Sequence, residues 1–350
     1  MSNKMKLTNI LFLCCICCLA ACQKHKTDTF DDGCIYLYAG TKETKSPYTE
    51  SVPSESSPLE ALVCVSTVKD AISGSYVFPS DGSDGTEDGT IGKHIQAEFQ
   101  SGSAQLINGA YYNQSYPDTD VHFVAVHPQS GWTFTDGIMA ETTLNGSDDI
   151  MFAPRVTGRY SSQTHPELEF NHLLTWIRIE ISADSEEVAT AWGPLLSMTI
   201  QSRSKVQIPL GKETFSTEDV VFTGADIQMP FIKIGKDGEI FPDQVSGYTM
   251  TETPVETAYV LCAPVQATER EPSNDDIVRT PEYYITVVSR YRNVTVPVDL
   301  METKDAYFTG STMGAQFTLR LNFKLGNTIS VSANITDWST GGIGIGKIEE

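Results

Sequence analysis

The chain has 350 residues, with 24 Lys and Arg against 45 Asp and Glu, for a formal charge of −21 at pH 7. So acidic a surface repels phosphate backbones and argues against nucleic acid as a partner. The length admits two domains of ordinary size.

The N-terminal stretch reads MSNKMKLTNILFLCCICCLAAC. Lys4 and Lys6 precede an apolar run from Ile10 to Leu19, and small residues close it, which is the layout of a secretory signal. The run is roughly half of the ~20 residues that a membrane-spanning helix needs. Leu19-Ala20-Ala21-Cys22 resembles a bacterial lipobox, so residues 1–21 are expected to leave as a lipoprotein signal peptide. Cys22 is then acylated and anchors the mature chain in a membrane. Losing Lys4 and Lys6 takes the formal charge from −21 to −23.

Cys14, Cys15, Cys17 and Cys18 depart with the signal, and Cys34, Cys64 and Cys262 remain beside Cys22. They are far apart and form no C-x-x-C pair, so neither a disulfide framework nor a metal site is indicated. Buried free thiols are the expectation, and a Cys34–Cys64 bridge is the alternative.

Residues 22–33 read as a polar tether. Cys34 to Ala39 (CIYLYA) is β-prone. Gly40 to Ser57 (GTKETKSPYTESVPSESS) has almost nothing to bury and reads as a protease-accessible loop. Leu59 to Val68 is the next apolar run. Asp81 to Thr90 (DGSDGTEDGT) invites a calcium-loop reading, but a frame starting at Asp84 closes on Ile95 instead of Glu, so a solvated turn is expected. Val121 to Pro128 is a strong strand, and Phe152-Ala-Pro154 breaks the pattern.

Phe170 to Ile181 reads as one strand ending the first half. Leu173, Thr175, Ile177, Ile179 and Ile181 form its core face, with Leu174, Trp176, Arg178 and Glu180 opposite. The polar run after Ser182 sets a domain boundary between residues 185 and 186. In the second half Ala258 to Pro264 is a strand, and Tyr283–Ser289 with Val294–Leu300 form a hairpin. Phe317 to Leu325 and Ile329 to Thr336 alternate clearly, and Gly341 to Ile348 is a weaker, glycine-rich strand. Helix periodicity is nearly absent, so the fold class is all-β, built of sandwiches.

No site for chemistry stands out. His122 and His127 point to opposite faces of one strand, and His172 reads as a structural imidazole. No G-x-S-x-G, H-E-x-x-H or P-loop occurs, so neither an enzyme nor a cofactor is expected. The N-x-S/T triplets at Asn113, Asn145, Asn293 and Asn334 carry little weight.

Several features together resemble the fimbrillin-like family, the lipoprotein-derived pilus subunits and pilus-associated proteins of Bacteroides-type bacteria. They are the lipobox, the isolated first strand before a polar loop, and Val121-His-Phe-Val-Ala-Val-His-Pro128. Asp149-Ile-Met-Phe-Ala-Pro154, Phe170 to Ile179 and Ile335-Thr-Asp-Trp-Ser-Thr-Gly-Gly342 complete the set. The resemblance implies two tandem transthyretin-like β-sandwich domains, here 34–185 and 186–350. It also implies assembly by strand exchange. A protease cuts after the first strand, the strand leaves, and a neighbouring subunit's C-terminal strand takes its place.

On this chain the removable strand would be Ile35 to Ala39, with Lys42 and Lys45 as the processing positions. Ile329, Val331, Ala333, Ile335, Ile343 and Ile345 are the candidate donor anchors. Processing in the family is best known at arginine, but the first arginine is Arg155, deep in the first domain. The glycine-rich tail is also a poor donor, which shifts weight from stalk subunit to tip or anchor. The expected role is a surface-fimbrium component at the outer membrane, serving adhesion with other pilus subunits as partners. The alternative is a surface lipoprotein, held by Cys22, that binds a host glycan or protein without polymerising, or a pilus anchor.

Overall fold

The computed structural model describes residues 35–41, 58–67, 94–99, 103–105, 112, 114, 116–135, 138–162, 165–236, 238–243, 246–265, 281–300, 311 and 313–336. All lie within one unit, Gly33–Glu350. The regular secondary structure of the described residues is almost all strand, as the alternating patterns require.

Seven strands form the first sheet: β1 (Tyr36–Thr41), β2 (Leu59–Ser66), β3 (His94–Phe99), β4 (Ser103–Gln105), β5 (Val121–His127), β8 (Met151–Gly158) and β9 (Glu167–His172). Their order is β3-β2-β5-β8-β9-β1-β4. The two edge strands, β3 and β4, approach each other, so the sheet curls around its inner face. Every second residue enters that interior: Leu59, Ala61, Val63 and Val65 from β2, Phe123 and Ala125 from β5, and Leu168 and Phe170 from β9. At β2, β5 and β8 the opposite face is buried as well. Cys64, Val124, Val126 and Phe152 join a second, larger core. This double burial explains why Val121–Val126 is buried at every position and apolar at all but His122, which a one-sided strand would not need.

The remaining strands are β6 (Trp132–Thr135), β7 (Met139–Thr143), β10 (Thr175–Ala183), β11 (Leu195–Pro209), β12 (Val221–Pro230), β13 (Ile232–Lys233), β14 (Val255–Cys262), β15 (Tyr283–Ser289), β16 (Asn293–Val298), β17 (Gln316–Phe323) and β18 (Ile329–Thr336). One sheet runs β13-β14-β10-β17-β18. The other runs β16-β15-β11-β7-β6, with β12 also on β11. β10 is central to the first of these, antiparallel to β14 and parallel to β17. Its Ile177, Ile179 and Ile181 are fully buried, while Trp176, Arg178 and Glu180 are half-buried, as the alternation predicts.

Four expectations change. Phe170–Ile181 is two strands, broken at Leu173 and Leu174, because the chain crosses there from one sheet to another. Both leucines are buried, and Leu173 N–H donates to Ile150 O at 2.9 Å. Phe152–Pro154 lies inside β8 and does not end it. Pro154 falls where the β5–β8 register shifts, between Phe123 and Ala125, a place where a missing N–H costs no ladder bond. The polar run after Ser182 contains a short helix, α1 (Glu186–Trp192). Ser185 caps it by accepting from Val188 N at 3.3 Å, and Glu186 and Glu187 occupy its first turn. Finally, no sheet boundary falls between residues 185 and 186. β6, β7 and β10 precede that point yet pair with strands of the second half. β11 is long enough to pair with β15 near Leu195 and with β7 near Pro209, and this draws β6 and β7 across.

Ile179 sits fully buried at the middle of β10, between Ala258 and Leu319. Ile179→Ala is expected to lower unfolding stability by about 2–5 kcal/mol, read as a drop in the urea midpoint. A loss under about 1 kcal/mol would show that this strand is not the packing centre.

Candidate functional site

β1 is the first described element, and it is enclosed. It runs parallel to β9, with Tyr38 opposite Glu167 and Thr41 opposite Phe170. On its other side it runs antiparallel to β4, with Tyr36 opposite Gln105 and Tyr38 opposite Ser103. Ile35 and Leu37 are fully buried and Ala39 is 3% exposed, all within the curled sheet. The Tyr38 N–H donates to Pro166 O at 3.0 Å. On the outward face, Tyr36 and Tyr38 both meet His165, with ring centroids 6.0 Å and 5.7 Å away. Removing β1 would leave β9 and β4 with unpaired ladder groups and a trench in the core at Ile35, Leu37 and Ala39.

At the other end of the chain, β18 is an outer strand of its sheet, antiparallel to β17 along its whole length. Ile329, Val331 and Ala333 face inward and are 8%, 7% and 1% exposed. Ile335 pairs with Phe317 in register. Four of the six candidate donor positions thus lie on a strand that already completes this protein's own sheet. Ile343 and Ile345 lie outside the described residues, as do Cys22, Cys34, Lys42 and Lys45.

Arg155 is buried in β8, with its side chain 3% exposed. Its guanidinium donates to Gly211 O at 3.0 Å and pairs with Glu213. The charge is thus satisfied across the contact between β8 and the residues after β11 and is shielded from proteases. Cys64 and Cys262 are free and buried, as expected from sequence. Burial pushes the Cys262 thiol up to about 12 and Cys64 further still, so neither is a nucleophile at neutral pH.

Three of the described histidines make hydrogen bonds within the fold. His122 Nδ1 meets Thr157 Oγ1 at 2.8 Å, and His172 Nδ1 meets Asp149 Oδ2 at 2.7 Å. His127 Nδ1 donates to Glu60 O at 2.6 Å. Among the described residues no group of three or more His, Cys, Asp or Glu could hold a metal ion, and no helix is long and apolar enough to cross a membrane. Tyr36, Tyr38 and His165 were not singled out from sequence. The alternation Ile35-Tyr-Leu-Tyr-Ala39 carries the tyrosines' outward placement, but nothing local announces His165 as their partner.

The fimbrillin-like family profile matches residues 67–338. The chain belongs to the fimbrillin-like family. That match begins after β1 and β2. No curated protein matches the chain. Among solved structures, a candidate cell adhesion protein from Bacteroides uniformis is similar at 14% identity, covering 88% of this chain and 100% of its own, with a TM-score of 0.51. A second from Bacteroides ovatus has 14% identity, 91% and 99% coverage and a TM-score of 0.48. A fimbrial protein from Bacteroides vulgatus has 12% identity, 87% and 99% coverage and a TM-score of 0.42. The first of these supports the all-β fold of this fimbrillin-like chain.

Two outcomes follow. In this fimbrillin-like chain Leu37→Ala is expected to weaken β1 by about 2–5 kcal/mol. Hydrogen exchange of residues 36–41 then quickens while β17 stays protected; equal change in both would mean that β1 is not separable from the rest.

The second outcome concerns pH. Burial holds the His127 pKa below its ordinary 6.5, opposed in part by the bond to Glu60 O. Above about pH 6.5 the ring is neutral in the folded and unfolded chain alike. Below it the unfolded ring takes up a proton that the folded ring resists. Stability therefore falls as pH drops from about 6.5 through the lower folded value. His127→Asn is expected to flatten that part of the slope in urea midpoints, and an unchanged slope would refute the assignment.

Proposed function

We propose that this chain is a structural component of a bacterial surface fimbrium serving adhesion, assembled by strand exchange after lipoprotein export. The observation that carries the reading is the placement of β1. A short strand, first among the described elements, fills a trench between β9 and β4 and is followed by the polar residues 42–57. One cut in that stretch would detach β1 and break no other strand. A donor strand from a neighbouring subunit would restore both ladders and fill the positions of Ile35, Leu37 and Ala39. Family membership supports the fimbrial setting, and the adhesion description of the similar Bacteroides uniformis structure agrees with it. The lipid on Cys22 would bring the chain to the outer membrane and cell surface.

Burial of Arg155 favours a variant of this role. No arginine precedes it, so an arginine-directed protease has no site between β1 and β2, and Lys42 and Lys45 are the basic positions there. If they are left uncut, the chain keeps its lipid and serves as a fimbrial anchor or as a surface lipoprotein that binds a host glycan or protein.

Intact mass and N-terminal sequencing of protein from the bacterial surface, with assay of sheared fibres, test the reading. A new N-terminus at Glu43 or Ser46 and presence in fibres support it. An acylated Cys22 with residues 42–57 intact, and absence from fibres, overturns the polymerising role.

A further inference from the structure

A strand in the β1 position presents two faces, and only the inward one fills the core. The outward face carries Tyr36 and Tyr38, which rest against the same ring, His165, at 6.0 Å and 5.7 Å. His165 directly precedes Pro166, whose carbonyl receives the Tyr38 N–H. One segment thus supplies both a ladder bond and two ring contacts. We propose that His165 reads the outward face of whichever strand fills this trench. It selects a strand with aromatic residues at the Tyr36 and Tyr38 positions, and so rejects the chain's own C-terminal tail. The donor then comes from a different protein subunit. This rests on the strand-exchange reading above and specifies its partner.

The sequence of the tail makes the exclusion concrete. Placing Ile343 and Ile345 in two inward positions puts Gly341 or Lys347 in the third. Either way both outward positions are glycines, from among Gly342, Gly344 and Gly346. The run Ile329, Val331, Ala333 would suit the inward positions, but its outward residues are Ser330 and Ser332. Trp338, the one aromatic after residue 329, is flanked by Asp337 and Ser339, which would have to enter the core. Strand polarity changes none of this, because alternation has period two in either direction.

Proximity gives the exclusion a purpose. Thr336 pairs with Gln316, which pairs with Trp176, so the tail leaves about 10 Å from Trp176. Trp176 is at most about 20 Å along the chain from Phe170, the partner of Thr41. Residues 337–350 extend up to about 50 Å. Fully extended, that length exceeds the roughly 30 Å to the near end of the trench, so the chain's own tail is a competitor that the trench has to disfavour. A trench without outward readout would be open to self-filling, so specificity here requires a feature that disfavours the nearest competitor.

The test uses the mature full chain with a specific protease site placed within residues 42–57, cut and then challenged with labelled peptides. The peptides are the Ile35–Thr41 sequence, the same sequence with both tyrosines as serine, and the Ser339–Ile348 sequence. The tyrosine peptide is expected to displace β1 on the order of tenfold better than the serine peptide, about 1.4 kcal/mol, and the tail peptide not measurably. In His165→Ala the preference should fall below about threefold, and in His165→Phe it should persist. Equal binding of the tyrosine and serine peptides, or a tail peptide as strong as the β1 sequence, overturns the proposal while leaving strand exchange intact. If no peptide enters, strand exchange itself fails and this inference with it.

Discussion

A strand buried on both faces cannot be left with unpaired N–H and C=O groups, because each such group costs the desolvation free energy of a lost hydrogen bond. That constraint governs this molecule. The seven-stranded sheet is apolar on the face turned to its own interior, and at β2, β5 and β8 its other face packs on the larger core. Its strands are therefore locked by ladders and by side chains alike. β1 is bound by the same rule, with β9 on one side and β4 on the other. It cannot simply leave; something must take its place. What distinguishes it from β5 or β8 is sequence position and not physics, since a single break after Thr41 frees it.

The two cores are joined by strands that ignore the sequence midpoint. β11 pairs with β15 at its start and with β7 at its end. β10 delivers the chain from β9 into the centre of another sheet. Arg155 closes the contact with a buried guanidinium that holds Gly211 O and the Glu213 carboxylate. A pair of this kind adds little net stability but fixes one arrangement, because breaking it would strand a charge. The result is a fixed frame around the position that β1 fills.

Sequence legibility followed burial. Strands with one wet face announced themselves by alternation: β17, β18 and the β15–β16 hairpin fall within a few residues of expectation. So did the doubly buried run of β5. β11 and β12 escaped because their polar and half-buried residues give only weak contrast, and α1 because its signal was a cap, Ser185 with Glu186 and Glu187, and not a periodic face. The break at Leu173–Leu174 was invisible because both sides of the chain are buried there, so the alternation continues across a change of sheet. Pairing was not legible at all. That β1 lies parallel to β9, or that His165 meets Tyr36 and Tyr38, depends on contacts between residues more than a hundred positions apart.

β18 bears on which part of the C-terminal stretch could act outside its own fold. Ile329, Val331 and Ala333 already close the larger core against β17. Donating them would expose the β17 edge and uncover buried Phe317, Leu319 and Leu321, opening a second gap in order to fill the first. Donation from residues after Thr336 opens none. In the strand-exchange reading the donor therefore begins beyond β18, where Ile343 and Ile345 are the remaining anchors and glycine separates them. Such a strand brings ladder bonds and two side chains but no outward rings, so it suits an acceptor unlike the trench at β1. On that reading the chain would offer one kind of strand and receive another, an asymmetry that fits a specialised position in a mixed assembly better than repetition of a single subunit.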